Sequence, residues 1–220
     1  MPDGVKATRR YNSPRRQEQA AATRRSILDA AQRLFETQGY GATTMDAIAA
    51  EAGVALKTVY VAFATKSGLL RALWDLLLKG DQDDAAVAER PWYRQVLDEP
   101  DPVRQLQLNA HNSRVVKLRI AGVLRVIRSA AASDADSAAL WALIQSDFYD
   151  NQRTIVASLD RKGALRPGLA VATAADILWT LNHPDVWLLL VGERGWSADR
   201  FERWLAETSC AQLLDLLGEP

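Results

Sequence analysis

The 220-residue chain has one cysteine, Cys210, and two histidines, His111 and His183. A single thiol cannot close an intrachain disulfide, so a disulfide scaffold is excluded and a reducing compartment is expected. Gly and Pro are sparse, at 12 and 8 residues, and no sustained alternating β-branched run is present, so a sheet-based fold is not expected. The longest apolar run, Val186-Trp187-Leu188-Leu189-Leu190-Val191, is far shorter than the ~20 residues that span a bilayer. The first residues are polar and basic, which does not fit a secretory leader. No Gly-rich phosphate loop, nucleophile elbow or His-rich metal spacing occurs. No cofactor, metal or membrane partner is therefore expected, and the sequence reads as a cytoplasmic protein that is not an enzyme.

Charge of one sign is also missing overall, with 27 Lys+Arg against 27 Asp+Glu. That balance hides an asymmetry. Residues 1–70 hold ten basic side chains against six acidic ones, a surplus of four, and the remainder holds seventeen against twenty-one. A basic head on an acidic body fits a polyanion partner at one end and another task at the other.

Ala, Leu and other strong helix formers dominate, so the fold is expected to be all-α. Residues 1–17 read as a flexible basic arm carrying Lys6, Arg9, Arg10, Arg15 and Arg16. These could follow a minor groove or phosphates, or belong to a solvated tail. Helices are predicted at about 18–38, 45–52, 55–62 and 67–79, then a break around 80–99. A long helix opens at Asp101-Pro102 and runs to about 131. Further helices are predicted from Ser133 or Asp134 to Gly163, near 170–182 and 185–193, and at 198–217 behind a Ser197 cap. The domains are accordingly 1–17, 18–70 and 71–220.

The chemistry lies in Thr44-Met45-Asp46-Ala47-Ile48-Ala49-Ala50-Glu51-Ala52-Gly53-Val54-Ala55-Leu56-Lys57-Thr58-Val59-Tyr60-Val61-Ala62-Phe63. Two short helices can cross steeply here, with small Ala49 at the crossing and Gly53 free to take a left-handed backbone. The same spacing also fits an ordinary helical hairpin. The continuation Tyr60-x-x-Phe63-x-x-Lys66-x-x-Leu69-Leu70 follows Thr23-Arg24-Arg25-Ser26-Ile27-Leu28, Phe35, Gly39-Tyr40 and Thr43-Thr44. Residues 23–70 strongly resemble the N-terminal domain of TetR-type (tetracycline-repressor-like) transcriptional regulators.

That resemblance implies a three-helix helix-turn-helix head, a larger C-terminal helical domain for ligand sensing and dimerisation, and a palindromic double-stranded DNA operator. It assigns DNA contacts to Thr44, Leu56, Lys57, Thr58, Tyr60 and Lys66, with Thr44 doubling as a helix cap and Lys66 on a phosphate. Ala55 departs from the family's capping side chain at that position. In the body, seven tryptophans and a few polar groups suggest a site for a small, apolar or aromatic effector. The candidates are His111, Asn112, Trp141, Phe148, Tyr149 and Trp179; His183, before Pro184, reads as a helix-end residue. Homodimerisation is expected through Phe201, Leu205, Leu213, Leu216 and Leu217 of the last helix, with Val186 and Leu190 before it. The rival readings are a ligand-independent DNA-binding or architectural protein and a small all-α enzyme.

Overall fold

The computed structural model describes residues 14–80 and 90–215, and these contain ten α-helices and no strand. They are α1 (Pro14–Gln38), α2 (Met45–Ala52), α3 (Leu56–Phe63), α4 (Lys66–Lys79), α5 (Pro91–Asp98), α6 (Pro102–Ala130), α7 (Ala135–Arg161), α8 (Val171–Leu181), α9 (Pro184–Trp187) and α10 (Ala198–Leu213). The chain divides into two compact units, residues 1–69 and 70–220.

In the first unit Ile27, Ala30, Ala31 and Phe35 of α1 are wholly buried, together with Ile48 of α2 and Val59 of α3. Burying one such aliphatic or aromatic side chain stabilises by about 1.5–3 kcal/mol, so this small core rests on few residues. Gly39 takes φ 82° and closes α1, its N–H donating to the Phe35 carbonyl at 3.0 Å. Pro14 to Gln17 are helical, so Arg15 and Arg16 stand on the first turns of α1 and not in the arm that the sequence suggests. Lys6, Arg9 and Arg10 lie outside the described residues.

The second unit is built around α6. Asp101 caps it by accepting from the Val103 N–H at 2.9 Å, and Pro102 sits in its first turn, where no N–H is needed. Asp134 and Ser197 cap α7 and α10 in the same way. Helix α6 packs on α5, α7 and α10, while α8 packs on α7 and α10. One cluster joins Leu106, Ile155, Val156, Leu159, Leu178 and Leu213. A second joins Ala110, Trp187, Phe201 and Leu205.

Four expectations need correction. The break at 80–99 contains α5, whose Pro91 occupies the first helical position and so starts a helix instead of preventing one. The helix expected at 185–193 is one α turn followed by a π-helical turn, Leu188–Glu193. Helix α10 stops at Leu213, where Leu214 becomes extended and pairs with Leu165. Phe201, Leu205 and Leu213 are 0–1% exposed and pack inside their own body, so they cannot form a dimer surface. Leu216 and Leu217 lie outside the described residues.

Candidate nucleic-acid interface and body cavity

Helices α2 and α3 are joined by a turn that Gly53 makes possible. Its φ of 68° and ψ of 32° are left-handed, and its N–H reaches the carbonyls of Ala49 and Ala50. The Val54 N–H adds a bond to the Ala49 carbonyl at 3.0 Å. Thr44 is the exposed cap of α2, its hydroxyl accepting from the Ala47 N–H at 3.1 Å. Ala55 gives α3 no side-chain cap, and of the first turn's N–H groups that of Thr58 donates to the Ala55 carbonyl at 2.8 Å, leaving those of Leu56 and Lys57 for water or an anion.

Val59 and Phe63 turn α3's apolar side inward. Lys57, Tyr60 and Val61 are exposed at i, i+3 and i+4 and share the opposite face, with exposed Ala64 just past the helix end. Tyr60 is 47% exposed and Val61 80%. Leu56 and Thr58 are half-buried on its flanks. Val61 was missed by sequence reading because an apolar residue beside Val59 looks like core. Only the helical phase set by Val59 and Phe63 shows that it points out.

The position of α3 is held from both sides. Arg24 on α1 donates to the Ala62 carbonyl at 2.9 Å and lies 4.2 Å over the Phe63 ring, placing a cation at the helix's carbonyl end. Beyond α3, Ala64 takes φ 57°, and the Thr65 N–H bonds the Phe63 carbonyl at 2.6 Å, giving a tight three-residue turn. The Thr65 hydroxyl then accepts from the Gly68 N–H at 2.9 Å and opens α4.

Lys66 is engaged inside the protein. Its ammonium donates to the carbonyls of Tyr40 at 2.8 Å and Thr43 at 3.0 Å, and lies 4.2 Å from the Tyr40 ring centroid. It therefore fastens the loop that presents Thr44.

The body contains a cavity of about 480 Å³ between α4, α5, α6 and α7 and the α8–α9 junction. Its apolar wall includes Trp74, Trp92, Val116, Ile120, Ile144 and Phe148. Two of the six expected effector residues, Asn112 and Phe148, line it. Four do not. His111 is one position round α6 from Asn112 and pairs with Glu202 at 3.2 Å. Tyr149 donates to Asp176 on α8 at 3.1 Å, and Trp179 packs edge-on to His183 at 4.8 Å. Trp141, half-buried one turn before Ile144, is not among the residues of the wall. His183 caps α9, its Nδ1 accepting from the Asp185 N–H at 3.1 Å. Burial holds its imidazole below the ordinary histidine range, against the opposing pull of Asp185.

Sequence reading also missed Lys117, which is 3% exposed and on the cavity wall. It donates to the Ser113 hydroxyl and the Asn182 carbonyl, both at 2.7 Å, and to the Asn182 side-chain oxygen. Burial pushes its pKa well below the usual lysine range. A signal was present in the sequence: Lys117 falls in the Ala110–Ile120–Leu124–Ile127 stripe of α6, where a charge is out of place. Among the described residues no three His, Cys, Asp or Glu side chains gather to hold a metal, and no helix is long and apolar enough to cross a membrane.

Comparison with known proteins agrees with this architecture. The profile of bacterial regulatory proteins of the tetR family matches residues 27–73. The probable HTH-type transcriptional regulator ArpR of Pseudomonas putida is 30% identical over 184 residues, covering 80% of this chain and 85% of that one. A SmeT–triclosan complex superimposes with a TM-score of 0.68 at 21% identity, over 90% of this chain and 98% of that one. SmeT is described as the repressor of a Stenotrophomonas maltophilia multidrug efflux pump. A regulator from Saccharomonospora viridis in complex with choline gives a TM-score of 0.67 at 18% identity, over 89% and 99% of the two chains. With a helix-turn-helix head matched by the family profile and a relative aligned along most of its length, the chain belongs to the TetR family of bacterial transcriptional regulators.

Proposed function

We propose that this regulator is a homodimeric repressor that binds a palindromic operator through α3 and leaves it when a small molecule enters the body cavity. The observation that carries the reading is the exposed face of Lys57, Tyr60 and Val61 on a helix whose other side is buried. An eight-residue helix is about 12 Å long and suits a major groove about 12 Å wide. Thr44 and Tyr60 present hydroxyls suited to phosphates, while Lys57 and Val61 suit base edges, lysine on guanine and valine on a thymine methyl. Thr58 and Leu56 serve at the border of that face.

Effector release rests on the cavity. Helix α4 carries Lys66 at its start and the cavity residues Trp74 and Leu78 further on, so a ligand that prefers one setting of α4 would bias the loop behind Thr44. Release then follows from differential affinity for two settings, as any allosteric coupling requires. Triclosan and choline in related folds fit a body that accepts small molecules.

The test is to capture genomic fragments on the full chain, sequence them, and titrate the recovered duplex by mobility shift with and without candidate effectors. Recovery of one inverted-repeat sequence, released by a small molecule that leaves non-specific binding unchanged, is the expected outcome. A duplex held equally with and without every effector that enters the cavity would leave only the ligand-independent regulator.

A further inference from the structure

The cavity's polar end is a buried lysine whose hydrogen-bond partners are all neutral. Ser113, Lys117, Gln152 and Asn182 all stand on its wall, and the last three are 2–3% exposed. The Lys117 ammonium meets Ser113 and Asn182, and Asn182 in turn donates to Gln152 at 3.2 Å. The α10 side supplies the Phe201 ring, 5.0 Å away. Glu202, next in sequence, is taken by Arg114 and His111. Among the described residues no carboxylate pairs with Lys117.

A charge taken out of water costs several kcal/mol unless a counter-charge offsets it, so an ammonium whose three N–H groups meet only neutral oxygens gains from an anion that replaces one of them. The wall's own acids are elsewhere. Asp147 and Asp150 are exposed, Asp150 pairs with Arg153 at 3.3 Å, and half-buried Asp75 pairs with Arg71 at 3.3 Å. The remaining wall is rich in indole, phenyl and branched aliphatic groups. We infer that the effector is an organic anion, an aromatic or otherwise apolar body bearing one carboxylate or similar acid group, held with its acid against Lys117, Ser113 and Asn182. This rests on the reading that the cavity is the effector site, and it names the chemistry that reading leaves open.

The groups that could contribute to a pH dependence are few. Burial raises the Tyr93 phenol, which stays neutral near pH 7, and burial keeps His183 below its ordinary range. Asp75, Asp147 and Asp150 stand on the wall with Lys79, the other lysine there. An anion beside Lys117 favours its protonated form, so anion affinity falls as pH rises from Lys117's lowered pKa toward the ordinary lysine range.

The probes are anthracene-9-carboxylate, its neutral carboxamide and anthracen-9-ylmethylammonium, titrated by fluorescence against the full-length protein. At pH 7 the carboxylate should bind at least ~10-fold more tightly than the carboxamide, a preference within reach of one charge-assisted hydrogen bond. Between pH 7 and 10 its affinity should fall while the carboxamide's stays level, in the native protein and in Lys79→Gln alike. Lys117→Met should bind carboxylate and carboxamide equally; the pH profile of the native protein carries the test if that variant does not fold. Carboxamide binding as tight as carboxylate, a level pH profile for both, or tightest binding of the ammonium overturns the anion assignment and leaves the effector cavity standing. No binding of any of the three at millimolar concentration overturns both.

Discussion

Lys57 and Val61 lie one helical turn apart on the exposed face of α3, and each predicts a different defect. A lysine paired with guanine loses discrimination at one operator position when cut to alanine, at a cost of roughly 1–3 kcal/mol. A valine against a thymine methyl should be matched by the base: Val61→Ala and replacement of that thymine by deoxyuridine should weaken binding by similar factors, and together by little more than either. Competition binding on a set of single-base operator variants measures both. A uniform loss across all variants would move either residue to the backbone-contacting group. Lys66 tests the opposite case. Its ammonium is held by the Tyr40 and Thr43 carbonyls, so Lys66→Ala should destabilise the head by about 1.5–3 kcal/mol, the range for charged hydrogen bonds. The salt slope of DNA binding should stay close to the native one, apart from what a displaced Thr44 removes. A slope lower by about 0.9 with unchanged melting would return Lys66 to phosphate contact.

At the scale of elements, the turn between α3 and α4 leaves no room for a side chain at Gly68. A methyl group on Gly68 would stand 2.7 Å from the Phe63 carbonyl oxygen and 3.1 Å from the Thr65 hydroxyl. Backbone cannot yield there without moving the end of α3, so Gly68→Ala should cost roughly 1–3 kcal/mol, as overpacking does. Urea unfolding of the head measures it. Specific DNA binding should fall further than stability alone accounts for, because Val61 and Ala64 would shift with that turn. Apart from α5 and the π-helical turn, the helices were legible because apolar spacing and caps are local: Thr44, Asp101, Asp134 and Ser197 each mark a start that the structure keeps. What was not legible depended on distant partners. Nothing near Lys66 in sequence indicates that carbonyls 23 and 26 residues earlier occupy its ammonium. Likewise His111 and Asn112 differ by one position, and only the packing of α10 and α5 on α6 sends one to Glu202 and the other to the cavity. Apolar residues on α10 could not be assigned to core or interface without knowing how much of α6 and α8 they cover.

For the whole molecule, symmetric operator reading needs a dimer, since one head reads one half-site and two heads need half-sites about 34–36 Å apart or a multiple of that distance. Phe201, Leu205 and Leu213 of helix α10 are spent within their own body, so the proposed pairing needs another face. The π-helical turn after α9 offers one: Leu189 is 51% exposed, with Val186 and Leu190 half-buried beside it. Trp196 and Trp204, whose rings meet edge-on at 6.1 Å, are half-buried as well. Partly exposed aromatics with a protruding aliphatic anchor are the composition expected at the centre of an interface. Leu189→Glu should therefore yield a folded monomer by sedimentation velocity, because the side chain leaves the monomer's core untouched. Its affinity for the full operator should drop to that of the native protein for a single half-site, and inserting two base pairs at the operator's centre should no longer change binding. Leu118→Glu, an equally radical change at a 57% exposed position on α6, should stay dimeric. A Leu189→Glu protein that sediments as a dimer, beside a monomeric Leu118→Glu protein, would place the two-fold axis on α6.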